Sequence, residues 1–264
     1  MILPVALTIA GSDSGGGAGI QADLKTFAAL GVHGTSAVTA ITAQNTTGVS
    51  DVLELPVELI RKQITAVVED IGVQAAKTGM LSSSAIIATV AQAVRDYRLR
   101  LLVVDPVMVA KGGAKLLRDD AVEALRTQLI PLACVITPNL PEAEVLLRRR
   151  IATLEERKLA ARDLVAIGAR AAVVKGGHAA DATDVFCDGK NTIELRGERI
   201  DTKNTHGSGC VFSAAITAWL ARGAEPLEAA RKAKALIAEA IENSLEIGHG
   251  HGPVNPMSAL RNAD

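Results

Sequence analysis

The sequence predicts an α/β protein with a mainly parallel central sheet, helices on both faces and an antiparallel hairpin at one edge. Three observations predict it. Short β-branched runs alternate with longer amphipathic stretches along most of the chain, the pattern of repeated βαβ units. Asp188-Gly189 lies between two short alternating runs, a hairpin signal. The 264 residues are enough for one large core.

Residues 5–10 read as a buried first strand. Ile20, Leu24, Phe27 and Ala28 follow at helical spacing, and Gly31 suits the position just past a helix end. Further strands are expected at 36–43, 73–77, 101–104, 134–137 and 171–174, with helices at 57–70, 84–97, 120–129 and 154–167 between them. Residues 184–187 and 192–195 form the hairpin, and two Ala-rich helices at 209–221 and 226–245 close the fold. No linker, repeat or low-complexity tract interrupts the pattern, so residues 1–264 are expected to form a single domain.

Composition excludes several function classes. The chain is 48% hydrophobic but only 2% aromatic, which argues against a base-stacking platform for single-stranded nucleic acid. A net charge of -1 leaves no polybasic partner surface, and Arg148-Arg149-Arg150 reads as a solvated helix end. Cys134, Cys187 and Cys210 form no CxxC pair, which argues against zinc and for a reducing compartment. Met1-Ile2-Leu3-Pro4 lacks the basic start of a signal peptide, and no apolar run reaches the ~18 residues of a membrane span. A cytoplasmic protein with no membrane or nucleic-acid partner is expected.

In open parallel sheets, ligands bind beyond the carboxyl ends of the strands. Chemistry-bearing residues recur there: Gly11-Ser12-Asp13 after the first strand, Gln44-Asn45 after the second and Gly79-Met80 after the third. Asp105 follows the fourth, Asn139 and Glu142 the fifth, and Lys175-Gly176-Gly177 the sixth. Asp105 before Pro106 also terminates a strand, and Glu142 also suits the first turn of a helix. As a pair near a triphosphate, both are the hard oxygen ligands that magnesium takes. A lysine ending a buried strand, like Lys175, calls for an anion or a wet cleft, here a phosphate.

Gly15-Gly16-Gly17-Ala18-Gly19 reads as a phosphate cradle, a mobile loop or a loop that closes over a small substrate, the last being preferred. It is not a Walker A loop. Gly17–Ala22 matches G-x-G-x-x-A, but the glycines start well after the strand and no acid follows about 20 residues on. Thr205-His206-Gly207-Ser208-Gly209-Cys210 is the sharpest feature. Its glycines bracket a helix start whose N–H groups form an anion hole for a transferring phosphoryl group. The Cys210 thiol, at a helix start, is expected to have a lowered pKa.

These blocks resemble the ribokinase-like superfamily and, within it, the hydroxymethylpyrimidine/phosphomethylpyrimidine kinases. The resemblance spans nearly the whole chain. It rests on residues 7–13, 15–26 and 39–46, the last ending in Gln44-Asn45-Thr46, on Lys77-Thr78-Gly79-Met80-Leu81 and on Asp105-Pro106-Val107-Met108. Further support comes from Thr137-Pro138-Asn139-Leu140-Pro141-Glu142-Ala143, Lys175-Gly176-Gly177-His178, 203–210 and Gly248-His249-Gly250-His251-Gly252-Pro253-Val254. It implies a ribokinase-like three-layer sandwich and an ATP-dependent kinase of the pyrimidine alcohol, then of its monophosphate, in thiamine biosynthesis. It implies Gln44 as reader of the aminopyrimidine, with Gly11, Asp23, Met80 and Val107 around the substrate. Lys175, Asn139 and Thr205 would contact ATP, and Asp105 and Glu142 would hold Mg2+. Gly207, Ser208, Gly209 and Cys210, with Lys175, would carry catalysis, Cys210 as general base or orienting group. A homodimer is implied, and a monovalent cation is left open. Most sugar kinases of the superfamily have Asp where Cys210 stands. The family usually has Thr at positions 208 and 211, so Ser208 keeps a hydroxyl and Val211 loses one. Pyridoxal kinase is the enzyme alternative. A pyrimidine-sensing binding protein and a dinucleotide-dependent oxidoreductase are the readings of other classes.

Overall fold

The computed structural model describes residues 3–109, 113, 116–177 and 182–260; His178 lies outside them. The strands are β1 (Val5–Asp13), β2 (His33–Gln44), β3 (Val49–Glu54), β4 (Ala75–Thr78), β5 (Leu102–Val104), β6 (Val135–Ile136), β7 (Ala172–Val174), β8 (Asp184–Cys187) and β9 (Thr192–Leu195). The helices are α1 (Gly19–Ala29), α2 (Val57–Asp70), α3 (Ser84–Asp96), α4 (Asp119–Ala124), α5 (Leu140–Leu147), α6 (Leu154–Ala166), α7 (Ser208–Ala221) and α8 (Pro226–Glu242).

The strands form one sheet in the order β3-β2-β1-β4-β5-β6-β7-β8-β9. The six from β2 to β7 in that order run parallel, and β3, β8 and β9 are antiparallel at the edges. The expected hairpin is β8–β9. Asp188 turns it by accepting the N–H groups of Lys190 and Asn191 at 2.9 and 2.7 Å, and Gly189 takes the positive φ of 84° that the turn needs.

Two differences from the sequence reading bear on the site. β1 runs on to Asp13 across a bulge between Ala10 and Ser12, and β2 runs on to Gln44. Gly11, Ser12, Asp13 and Gln44 therefore sit on hydrogen-bonded strand rather than loop. The sequence reading also missed β3. Its residues are mostly exposed, with Leu53 at 65%, so it lacks the buried alternation that marks a strand and is held by its ladder to β2.

Helices cover both faces. One apolar layer is built by Ile60 and Ile64 of α2, Ile87 and Val90 of α3, and Leu146 and Leu164 of α5 and α6. The other is built by Phe27 of α1, Phe212 and Ile216 of α7, and Ile237 of α8. α7 is buried almost all round, as expected of a helix apolar on every side. Strand order reverses between β1 and β4, so the crevice such a reversal leaves opens beyond their carboxyl ends. Truncating Phe212 to Ala should cost about 3–5 kcal/mol, read as a lower midpoint in urea at unchanged slope.

Candidate active site

Two clefts meet over the carboxyl end of the sheet. The first, about 500 Å3, is lined by Gly11, Gln44, Met80 and Val107, with Asp23 and Lys77 beneath. The second, about 800 Å3, lies between the segment after β9 and the apolar flank of α8, Ala235, Ala238 and Ile241. Both sizes suit small-molecule ligands. Asn139, Lys175, Thr205, Ser208 and Gly209 line both clefts, so this is where contents of the two would touch.

The start of α7 forms the wall at that junction. Gly207 caps the helix in the left-handed conformation, φ 77° and ψ 4°. The first-turn N–H groups of Gly209 and Cys210 have no carbonyl one turn back to bond, and a helix start of this kind can take an anion. A Cβ on Gly207 would overlap Gly17 O, so the residue must be glycine both for its φ and for that contact.

The charged groups are buried together. Lys175 Nζ lies 3.3 Å from Asp105 Oδ1. Asp105 also accepts from Ser213 Oγ at 2.9 Å and Thr137 Oγ1 at 3.4 Å. Burial works against the Lys175 charge, and Asp105 and Glu142 more than offset it, holding the ammonium above the ordinary lysine range. Asn139 caps α5 by accepting from Glu142 N at 2.9 Å, and Glu142 Oε2 accepts from Asn139 N at 2.8 Å, a capping box. Glu142 thus has a structural role as well as a place in the cleft. Burial pushes its carboxyl up to about 7; Lys175 opposes this and Asp105 adds to it. Two close, buried carboxylates with oxygens facing a cleft fit a divalent cation, which lowers the cost of keeping both ionised. Beneath the first cleft, fully buried Lys77 bonds Asp23 Oδ1 at 2.7 Å, and Thr8 Oγ1 donates to Asp23 Oδ2 at 2.6 Å. Burial disfavours the Lys77 charge, but Asp23, Cys210 and Asp105 raise its pKa.

The glycine loop corrects one expectation. Its N–H groups do not wait for a phosphate. Gly15, Gly17 and Ala18 donate to the Asp13 carboxylate at 2.8, 3.1 and 2.8 Å, and His206 Nε2 lies 2.9 Å from Asp13 Oδ2. The loop is a nest for an internal anion. Burial opposes ionisation of Asp13, but the hydrogen bonds from His206, Gly15 and Ala18 outweigh it and depress its pKa. The expected closing loop is already docked, since a Cβ on Gly17 would overlap the His206 ring. The glycine-histidine motif near the C-terminus clamps the same region. Thr46 O accepts from His251 N at 2.9 Å, Gly252 O accepts from His206 N at 3.1 Å, and Val254 N donates to His206 O at 3.0 Å.

Cys210 corrects a second. The helix start favours a thiolate, but burial pushes the thiol up to about 12, with Lys77 opposing and Asp23 and Asp105 adding to the rise. Val211 is fully buried, so no side-chain contact with a nucleotide is available at that position.

The sequence profile described as phosphomethylpyrimidine kinase matches residues 13–255. The chain belongs to the phosphomethylpyrimidine kinase family. A hydroxymethylpyrimidine/phosphomethylpyrimidine kinase of Bacillus subtilis (strain 168) is 51% identical over 261 residues, 98% of this chain and 96% of that one. Among solved structures, an ADP complex of Bacillus subtilis pyridoxal kinase superposes with a TM-score of 0.91 at 44% identity, covering 98% of this chain and 99% of that one. A phosphomethylpyrimidine kinase from Clostridium difficile 630 has a TM-score of 0.82 at 45% identity, covering 90% and 99%. The ribokinase-like architecture expected from the resemblance is the one observed.

The residues expected to carry catalysis or to contact substrate, ATP or metal all line one or both clefts of this phosphomethylpyrimidine kinase family member, whereas Asn45, Gly15, Gly16, Gly17 and Gly176 line neither. The sequence reading assigned no role to Asp13, Lys77 or the His206 side chain. Each lay inside a quoted motif, but nothing local says that a lysine in a short strand is buried, or that residues 193 apart pair.

Two outcomes follow. Because the pKa of Asp13 is depressed, its stabilisation is full above the unfolded value near 3.8 and drains away as pH falls through the folded value. Asp13→Asn should cost about 1–3 kcal/mol at pH 7, and the thermal midpoints of variant and wild type should converge as pH falls below the folded value. With its thiol near 12, Cys210 in the ligand-free protein should react with iodoacetamide at pH 8 about a thousandfold more slowly than free cysteine. Peptide mapping of the alkylated protein measures this.

Proposed function

We propose that the chain transfers the γ-phosphoryl group of ATP to 4-amino-5-hydroxymethyl-2-methylpyrimidine, and then a second to the resulting monophosphate, giving the pyrophosphate used in thiamine biosynthesis. The observation that carries this is the meeting of two clefts at one lysine and one anion hole. A donor in the second cleft and an acceptor in the first bring their reacting ends together at Lys175, Ser208 and Gly209. Phosphoryl transfer needs little else than such positioning and charge stabilisation.

In this reading Gln44 reads the amino and ring nitrogens of the pyrimidine, and Gly11, Met80 and Val107 line the ring. Asp23 forms the floor, its carboxylate already held by Lys77 and Thr8. Lys175, Asn139 and Thr205 hold the phosphates of ATP. Gly207 turns the chain so that the N–H groups after it, with Ser208 and Gly209, face the phosphoryl group in flight. Asp105 and Glu142 would hold Mg2+, which when bound neutralises phosphate charge. With a neutral thiol, Cys210 orients the anion hole and the acceptor rather than taking a proton.

The chain is proposed to work as one domain and as a homodimer; Val52 and Leu53 of the edge strand β3, with Ile41 beside Leu53 on β2, offer exposed apolar surface for pairing. Among the described residues no helix is long and apolar enough to cross a membrane, which accords with a proposed cytoplasmic setting.

A coupled assay of ADP release tests the reading with the pyrimidine alcohol, its monophosphate and pyridoxal. Both pyrimidines should turn over, with kcat/KM for the alcohol at least about tenfold above that for pyridoxal, the worth of one well-made hydrogen bond to the ring edge. Preference for pyridoxal would overturn the substrate assignment. Cys210→Ser should reduce both steps by similar factors. A loss confined to the first step, where an alcohol proton must leave, would restore the base.

A further inference from the structure

Beside Gln44, the residue assigned to read the pyrimidine, lie three polar groups whose protons are determined by their surroundings. Thr42 Oγ1 is 2.8 Å from Ser12 O and 3.2 Å from Gln44 Oε1. Its hydroxyl has one hydrogen, and the Ser12 carbonyl only accepts, so that hydrogen goes to Ser12. On the other side His206 Nε2 is 2.9 Å from Asp13 Oδ2 and 3.4 Å from Gln44 Nε2. Asp13 is a carboxylate fed by three backbone N–H groups, so His206 Nε2 bears a hydrogen that points towards it.

With Oε1 towards Thr42 and Nε2 towards His206, the Gln44 amide meets a mismatch at both ends. Its oxygen faces a lone pair, and its NH2 faces an N–H. Turning the amide by 180° repairs both, because its two ends have nearly the same shape and are told apart only by their partners. The NH2 then donates to Thr42 Oγ1, and Oε1 shares the His206 Nε2–H with Asp13.

We propose that His206 is a positioning and specificity-determining residue that fixes which way round the Gln44 amide faces the substrate. It does so through the Asp13–His206 pair, and Thr42 seconds it. The turned amide keeps one N–H and one oxygen lone pair for the cleft, with the oxygen on the His206 side. An aminopyrimidine edge, a ring nitrogen beside an exocyclic NH2, complements that order only with its amino group towards His206. A ring carrying a phenolic oxygen and a methyl group there does not. The backbone of His206 is held on both sides by Gly252 O and Val254 N, so its ring is fixed from the chain as well as from Asp13. Asp13 and Thr42 are 2% and 4% exposed, and His206 is 8%, which shields the set from water.

This inference rests on the proposed pyrimidine substrate, and its test separates the two. The probes are the aminopyrimidine alcohol and the same compound lacking the amino group, each assayed for kcat/KM on one preparation, so that the ratio is independent of the folded fraction. Wild type should prefer the amino compound by at least about tenfold. His206→Leu should bring that ratio near one through KM for the pyrimidine, with KM for ATP little changed. His206→Gln, whose amide N–H reaches a similar place, should restore most of it. Thr42→Val, which leaves the Asp13–His206 pair intact, should lower the ratio by a smaller factor and serves if His206→Leu does not fold. A wild type inert to both probes overturns the pyrimidine reading and this one with it. An active wild type whose ratio survives in His206→Leu, or in Thr42→Val where the former fails to fold, overturns this inference alone. So does a His206→Gln protein that fails as badly as His206→Leu.

Discussion

Where the glycine loop meets the start of α7, two stretches of backbone touch. Gly207 packs on Gly17 O so closely that no side chain fits between them. That contact fixes the direction of the first-turn N–H groups of α7, and everything at the junction of the two clefts depends on it. The loop side is made rigid by Asp13, which gathers three of its N–H groups. The helix side is made rigid by His206, bonded through its ring to Asp13 and through its backbone to the segment at Gly252–Val254. An anion hole stabilises charge only if its dipoles are set before the charge develops. Here they are set by an anion the protein itself supplies, one loop away.

Charge burial is the second constraint. Lys77 with Asp23, and Lys175 with Asp105, place two cations and two carboxylates under a cleft that a small substrate fills. Removing one partner of a buried pair costs on the order of 3–5 kcal/mol, so the pairs hold the floor in place whether or not ligand is bound. They differ in what else they do. Lys77 is fully buried against Asp23, with no accessible side-chain surface for a ligand. Lys175 keeps 14% of its side chain accessible and lines both clefts, which is what a phosphate contact requires. Asp105 and Glu142 share the field of Lys175, and burial, with Asp105 adding to it, keeps the Glu142 pKa raised against that field.

Short apolar runs between amphipathic stretches revealed the parallel sheet, because strands covered on both faces read as unbroken apolar runs and helices buried on one face leave a periodic trace. β3 left no such trace, being mostly exposed and held chiefly by its ladder to β2. The motif residues were legible as a rim because each follows a strand, yet their partners were not. A glycine loop before a helix reads as an anion site, and so it is, but sequence does not say that Asp13 is the anion. Cys210 shows two local rules in competition. A helix terminus is worth roughly 0.3–1 kcal/mol, while the rise of its pKa from 9.0 to about 12 amounts to about 4 kcal/mol. Burial, a tertiary property, wins by a margin no sequence window contains.

That outcome bears on why a thiol stands at this position, where the resemblance implies Asp in most sugar kinases of the superfamily. Under the proposed function the same site receives first an alcohol and then a phosphate monoester. A carboxylate at position 210 would suit the first acceptor but face the second as a like charge. At about 4 Å and an effective dielectric of 20, that repulsion is about 4 kcal/mol per unit charge, enough to slow the second transfer by roughly a thousandfold. A neutral thiol of similar reach imposes no such penalty. The high pKa of Cys210, which counts against a base, is then the property that lets one anion hole serve two acceptors of different charge.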